Sequence, residues 1–177
     1  MADLQAWGPA ESTRNILGYL WSKLAFSSML AATALVDAPM ADLIDRHREL
    51  MLAIAGEVFD LAYRYEVSLE SFDAFDPTAL APDSKDRDAG IDRLVAWLRG
   101  QTKTRSGVWR DLAVHRRMTE AALRYTDVIQ LRDSLGATSP HLEALVAMLR
   151  EIESGRRDMT DENLHTLERD TSAVRDL

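Results

Sequence analysis

An apolar stretch with a single lysine in its middle is the first of two segments whose residue types could do chemistry. Residues 16–36 carry no charge other than that of Lys23. At 3.6 residues per turn, the neighbours of Lys23 on a helix are mostly large and apolar, namely Ile16, Tyr19, Leu20, Phe26 and Leu30 beside Ser27. We therefore expect this face to be packed. An ammonium placed there either snorkels to a nearby edge or faces an anionic ligand, and spacing alone favours snorkelling.

The second segment, residues 103–120, brings cations and hydroxyls to the start of a predicted helix. Its sequence is KTRSGVWRDLAVHRRMTE. Free N–H groups and the helix dipole favour an anion at such a position. The alternative is an exposed basic turn in which Glu120 pairs with Arg116 and Arg124, four residues away on either side. Spacing alone favours that alternative.

The rest of the composition excludes several classes of site. The net charge of −8 argues against nucleic acid, and the absence of cysteine excludes disulfides and zinc–thiolate sites. The glycines never form GxG or GxxxxGK, so no nucleotide-binding fingerprint is present. The four histidines lie far apart and none forms HExxH, so no metal site is predicted. No segment has the pattern of a signal peptide or is long enough to span a membrane, which predicts a cytoplasmic protein.

Helical periodicity dominates and predicts one all-α domain of six or seven helices over residues 1–177. The predicted helices cover about residues 9–36, 40–46, a stretch ending near 67, 91–100, 108–135, 139–155 and a last one after Thr160. Ser139-Pro140 is a strong start signal and Gly136 a good stop signal. Residues 68–90 lose the period, and we expect a long surface loop anchored by Phe72 and Phe75.

Four motifs in order resemble the C-terminal domain of the ketopantoate reductase (2-dehydropantoate 2-reductase) family. They are the LWSKLA helix at residues 20–25, the Thr119-Glu120 pair after a serine-containing loop, the GATSP link at 136–140, and ESGRR at 153–157 followed by Asn163-Leu164. The resemblance spans roughly residues 7–167. It departs from the family at Ser27 and Ala31, where the family helix usually carries asparagines.

The resemblance implies a helical domain, related to the C-terminal domain of 6-phosphogluconate dehydrogenase, that closes over a separate Rossmann domain holding NADPH. That family reduces a 2-keto acid to the hydroxy acid in pantothenate synthesis. By resemblance, Lys23 is the catalytic proton donor to the carbonyl oxygen, Ser106 hydrogen-bonds the carboxylate, and Glu120 holds the substrate hydroxyl. Ser27 is a further substrate-binding residue.

The chain contains no Rossmann pattern, so the resemblance leaves its own activity open. We expect it to bind no cofactor alone and to turn over no ketopantoate with NADPH unless a Rossmann domain is supplied by a partner. The competing hypothesis is a non-catalytic helical module that dimerises or binds a partner chain through an exposed apolar surface. A third is a stand-alone binder of small carboxylates.

Overall fold

The computed structural model of the protein describes residues 12–175, with side chains described up to residue 169. This part of the chain contains nine α-helices and no strand, which confirms the all-α prediction. The helices are α1 (Ile16–Thr33), α2 (Met40–Arg46), α3 (Arg48–Arg64), α4 (Pro77–Leu80), α5 (Arg87–Arg99), α6 (Gly107–Arg110), α7 (Glu120–Ser134), α8 (Pro140–Glu153) and α9 (Glu162–Arg175). The predicted start of the first helix, at residues 9–11, lies outside the described residues.

The core forms where α1 packs along α3 and both contact α8, which also packs against α7 and α9. The buried side chains are mostly aliphatic, among them Met29, Ile54, Leu94 and Leu149. Helix α2 packs against α5, and α4 packs against the start of α5. One buried cation ties three elements together: Arg132 on α7 donates to the Glu57 carbonyl of α3 at 2.6 Å and to the Thr138 carbonyl through Nε at 2.9 Å.

The loop predicted over residues 68–90 is more ordered than its sequence indicates. Phe72 and Phe75 exchange backbone hydrogen bonds, and Phe75 is buried, so the predicted anchoring is confirmed. Asp76 then caps the short helix α4 by accepting from the Thr78 and Ala79 amides. The charged run 83–88 already enters α5, which begins four residues earlier than predicted.

The prediction of a single long helix over residues 108–135 is wrong, because two short helical segments and a break in the chain precede α7. After α6 the chain makes one wide turn at Asp111–His115, and Arg116 then takes a left-handed conformation with φ +48°. Arg117 holds this break, since its backbone N–H bonds the Asp111 carbonyl and its guanidinium bonds the Asp111 carboxylate. The break places Thr119 and Glu120 at the start of α7.

Candidate functional site

Lys23 lies on a face of α1 that is exposed around it. The prediction that this face is packed is therefore wrong. The lysine is exposed, and Ile16, Leu17 and Leu20 beside it are each more than half exposed. Among the described residues, Lys23 has no ion-pair or hydrogen-bond partner. Snorkelling is therefore not needed, because no burial of the ammonium occurs in this chain.

The contacts of the opposite face of α1 explain why these large side chains remain exposed to solvent. Its first turns dock on residues 68–70 through small residues: Asn15 caps the helix and donates to the Ser68 carbonyl, while Ser22 accepts from the Glu70 amide. A Cβ on Gly18 would lie only 2.2 Å from the Ser68 carbonyl oxygen. The close approach thus requires glycine, and it fixes the rotation of α1 that turns Ile16, Leu20 and Lys23 toward solvent.

Burial increases along the Lys23 face toward the end of α1. Ser27, one turn after Lys23, is partly buried, and Ala31, one turn further, is completely buried. Ser27 can therefore still reach a ligand that contacts Lys23, whereas the position of Ala31 is closed by the core. Lys23 lies where the exposed first half of the helix meets the buried second half.

Ser106 is buried, with 3% of its surface exposed, and caps α6. Its Oγ accepts a hydrogen bond from the Trp109 amide at 3.1 Å, which leaves its own O–H free to donate. The loop before it is fixed by Asp37, which accepts from the Trp109 indole at 3.1 Å and pairs with Arg105. Helix α6 packs against α1, so the fold brings the Ser106 segment next to the helix that carries Lys23.

Glu120 occupies the first position of α7 and its side chain is 93% exposed. Its predicted pairing with Arg124 is found at 3.7 Å, but the pairing with Arg116 is absent because Arg116 lies outside the helix. Thr119 is fixed from α8, since the Glu153 carboxylate accepts from its amide at 2.7 Å and from its hydroxyl at 2.8 Å. This contact between α7 and α8 sets the position of Glu120.

Glu120 lines two clefts, and neither of them is lined by Lys23, Ser27 or Ser106. The larger, of about 650 Å³, is bordered by the exposed apolar side chains of Met118 and Leu123 together with Thr119, Ala122, Arg150, Glu153 and Ser154. The smaller, of about 390 Å³, reaches Val108 and Asp111 beside the α6 helix. The four predicted site residues therefore do not share one of these clefts.

A direct contact nevertheless joins the helices of Lys23 and Glu120. The buried Tyr125 of α7 donates its hydroxyl to the Leu24 carbonyl of α1 at 3.3 Å. Burial raises the pKa of the Tyr125 phenol, so this group stays a neutral donor. Glu120 precedes Tyr125 by five residues, or about 7.5 Å along the helix axis. Lys23 and Glu120 thus lie on two helices that the Tyr125 hydrogen bond joins.

Sequence reasoning missed the carboxylates that hold these helices in place. Glu57 of α3 is buried and accepts from the His141 and Leu142 amides at the start of α8. It therefore does the capping predicted for Ser139, whose hydroxyl makes no cap bond. Only the presence of an acidic residue in an apolar helix hinted at such a role.

Comparison with known proteins places the chain in a family. No described helix is long and apolar enough to cross a membrane. No curated protein and no solved structure matches the sequence. The model of one protein family, described as ketopantoate reductase PanE/ApbA C terminal, matches residues 15–153, which include Lys23, Ser27, Ser106 and Glu120. Because this match covers most of the chain, the protein belongs to the ketopantoate reductase C-terminal domain family.

Proposed function

We propose that this chain is the substrate-binding half of a ketopantoate-reductase-like oxidoreductase that converts a 2-keto acid to the 2-hydroxy acid. The observation that carries the proposal is Lys23, an exposed ammonium with no acidic partner among the described residues, set among exposed apolar side chains on α1. A nucleotide-binding domain covering Ile16, Leu17 and Leu20 would remove water from around Lys23. NADPH held by that domain supplies the hydride.

The residues of this chain would then have distinct roles. The Lys23 ammonium hydrogen-bonds the carbonyl oxygen and transfers a proton to it as negative charge develops. The free O–H of Ser106 donates to the carboxylate, and Ser27 contacts the substrate one turn from Lys23. Glu120 accepts from a substrate hydroxyl when the two domains close. Exposed apolar side chains lie beside both Lys23 and Glu120. They support closure of a second domain over this one, since that domain would cover them.

Binding of ketopantoate by the full chain tests this proposal without requiring turnover. We expect Lys23→Met to weaken binding, measured by calorimetry or NMR titration, by up to about fivefold, because Lys23 is exposed in the isolated chain and an exposed ion pair contributes about 0.2–1 kcal/mol. Lys85→Met is the matched control, since Lys85 is also exposed but lies in the loop before α5. Equal affinities of wild type and Lys23→Met would refute the role of Lys23, and so would the absence of any binding at millimolar ligand.

The apolar surface of α1 also favours a second function, an association module that dimerises or holds a partner chain. Ile16, Leu17 and Leu20 are each more than half exposed and lie within one turn of each other. Sedimentation velocity of wild type and Leu20→Glu distinguishes the two functions. A wild-type dimer that dissociates in Leu20→Glu supports association, whereas a monomer at high concentration argues against it.

A further inference from the structure

His47 is far in the sequence from His165 and Glu168, but the three side chains meet where α9 lies near the junction of α2 and α3. His47 forms that junction, while His165 and Glu168 lie one turn apart on α9. The Nδ1 atom of His47 is 2.7 Å from Oε1 of Glu168, and Nδ1 of His165 is 3.4 Å from Oε2 of the same carboxylate. One nitrogen or oxygen atom from each residue lies within 4.8 Å of the others.

We propose that His47, His165 and Glu168 form a binding site for a divalent transition metal ion, with Zn²⁺ best suited to the ligand set. Two imidazoles and one carboxylate suit Zn²⁺ and its neighbours, while Mg²⁺ and Ca²⁺ require oxygen ligands. Ligand atoms around a tetrahedral zinc ion lie about 3.3 Å apart, as bonds of about 2.0–2.1 Å require. The His165–Glu168 pair, at 3.4 Å, matches this value, and the His47–Glu168 pair, at 2.7 Å, would have to open by about 0.6 Å to admit the ion. Water would complete the fourth position.

The hydrogen bond and the ring contact of the buried His47 both go to the other two proposed ligands. Its side chain is only 3% exposed, and its second ring nitrogen, Nε2, is buried without a hydrogen-bond partner. To bind a metal through Nδ1, a neutral imidazole must carry its proton on Nε2. That Nε2–H has no acceptor among the described residues, so the metal bond must also offset one buried unpaired donor. The imidazole can thus exchange the Glu168 contact of the metal-free state for a metal bond without breaking another contact.

Asp161 lies near the second ring nitrogen of His165, although beyond hydrogen-bond distance. Its Oδ2 atom lies 3.8 Å from Nε2 of His165, on the side of the ring opposite the Nδ1 atom that faces Glu168. Arg46 fixes the same carboxylate oxygen at 3.0 Å. A carboxylate behind a ligating histidine orients the ring and raises its basicity. The cluster therefore contains three ligands, with a carboxylate beside one of them that would orient its ring only after moving closer.

The position of the cluster gives the metal a consequence for the fold. The family match ends at residue 153, so His165 and Glu168 lie on a helix beyond the matched region. Within the described residues, α9 packs mainly against α8. A metal ion would add a bond between α9 and the α2–α3 junction and would hold this helix on the domain. The proposal does not depend on the catalytic role of Lys23.

Calorimetric titration of the chelator-treated full chain with zinc chloride tests the site. We expect one ion per chain, and at least tenfold weaker binding in His165→Gln and Glu168→Gln. His165 is about half exposed, so its replacement should leave the fold intact. His115→Gln is the matched control, because His115 is also exposed and lies outside the cluster.

Thermal unfolding with and without Zn²⁺ separates a metal site from a metal-free cluster of ion pairs. We expect Zn²⁺ to raise the melting temperature of wild type and His115→Gln but not of His165→Gln. Absence of saturable zinc binding would overturn the proposal. Equal binding by His165→Gln and His115→Gln would also overturn it, since the ion would then bind elsewhere on the chain.

Discussion

Replacing Glu57 with glutamine should destabilise the domain strongly, although the two side chains have nearly the same shape. The Glu57 carboxylate is buried and accepts from the His141 amide at 2.9 Å, the Leu142 amide at 3.0 Å and Nδ1 of His141 at 2.8 Å. Pro140 precedes these residues and has no N–H, so the carboxylate satisfies the first free amides of α8. All three contacts require an acceptor.

A glutamine at position 57 offers only one acceptor atom and points an NH₂ group at a donor. At least one charged hydrogen bond is then lost and one buried donor is left unsatisfied, at about 1.5–3 and 1–3 kcal/mol respectively. We expect a loss of about 3 kcal/mol in the free energy of unfolding, near the lower end of the sum of these two costs. In a domain of this size, each kcal/mol lowers the melting temperature by about 2–4 °C. The expected decrease is therefore about 6–12 °C.

Urea unfolding and calorimetry of Glu57→Gln beside Glu66→Gln measure this effect. Glu66 is exposed at the end of α3, and its replacement should change the melting temperature by less than about 2 °C. If Glu57→Gln behaves like this control, the carboxylate does not cap α8, and the hydrogen bonds assigned between Glu57 and the His141 and Leu142 groups do not stabilise the domain.

Two further predictions concern pH. Hydrogen bonds from Arg48 and Arg99 lower the pKa of the Asp45 carboxyl, so its stabilising contribution is complete above about pH 4 and is lost as the pH falls further. Asp45→Asn should therefore cost about 1 kcal/mol in urea unfolding at neutral pH and clearly less at about pH 3; an equal cost at both would contradict this. Burial raises the pKa of Tyr125, so its stabilising effect is present below about pH 10 and is lost above it. Native wild type and Tyr125→Phe should show the same tyrosinate absorbance near pH 10 and should differ only once unfolded.

The sequence predicted most helices because their apolar spacing is regular, but it could not predict the break before α7. Residues 116–119 are Arg-Arg-Met-Thr, and nothing in this sequence stops a helix. The break depends on contacts with distant residues, chiefly the Glu153 carboxylate that binds Thr119. A carboxylate 34 residues away can replace the helical hydrogen bonds of Thr119, and sequence periodicity carries no information about such a partner.

The position of the candidate site was harder to predict than its residues. Helix α1 is apolar all around, so hydrophobicity could not indicate which face is buried. The structure buries the face with the small residues Gly18, Ser22 and Ala25, because small residues allow a close approach to α3 and to residues 68–70. Ile16, Leu17 and Leu20 remain on the surface with Lys23. The motif resemblance singled out Lys23, whereas the expectation from helical spacing that its face is packed is wrong for Ile16 and Leu20.

The exposure of Lys23 also has a mechanistic consequence under the proposed function. A buried ammonium would have to be paired, and an acidic partner inside the chain would compete with the substrate for it. Lys23 has no such partner among the described residues, so the free chain bears no desolvation cost. That cost arises only when another surface covers Ile16 and Leu20, and the negative charge that develops on the substrate oxygen then offsets it. Proton donation is thereby restricted to the assembled, closed state, and the lysine remains an ordinary surface cation in the isolated chain.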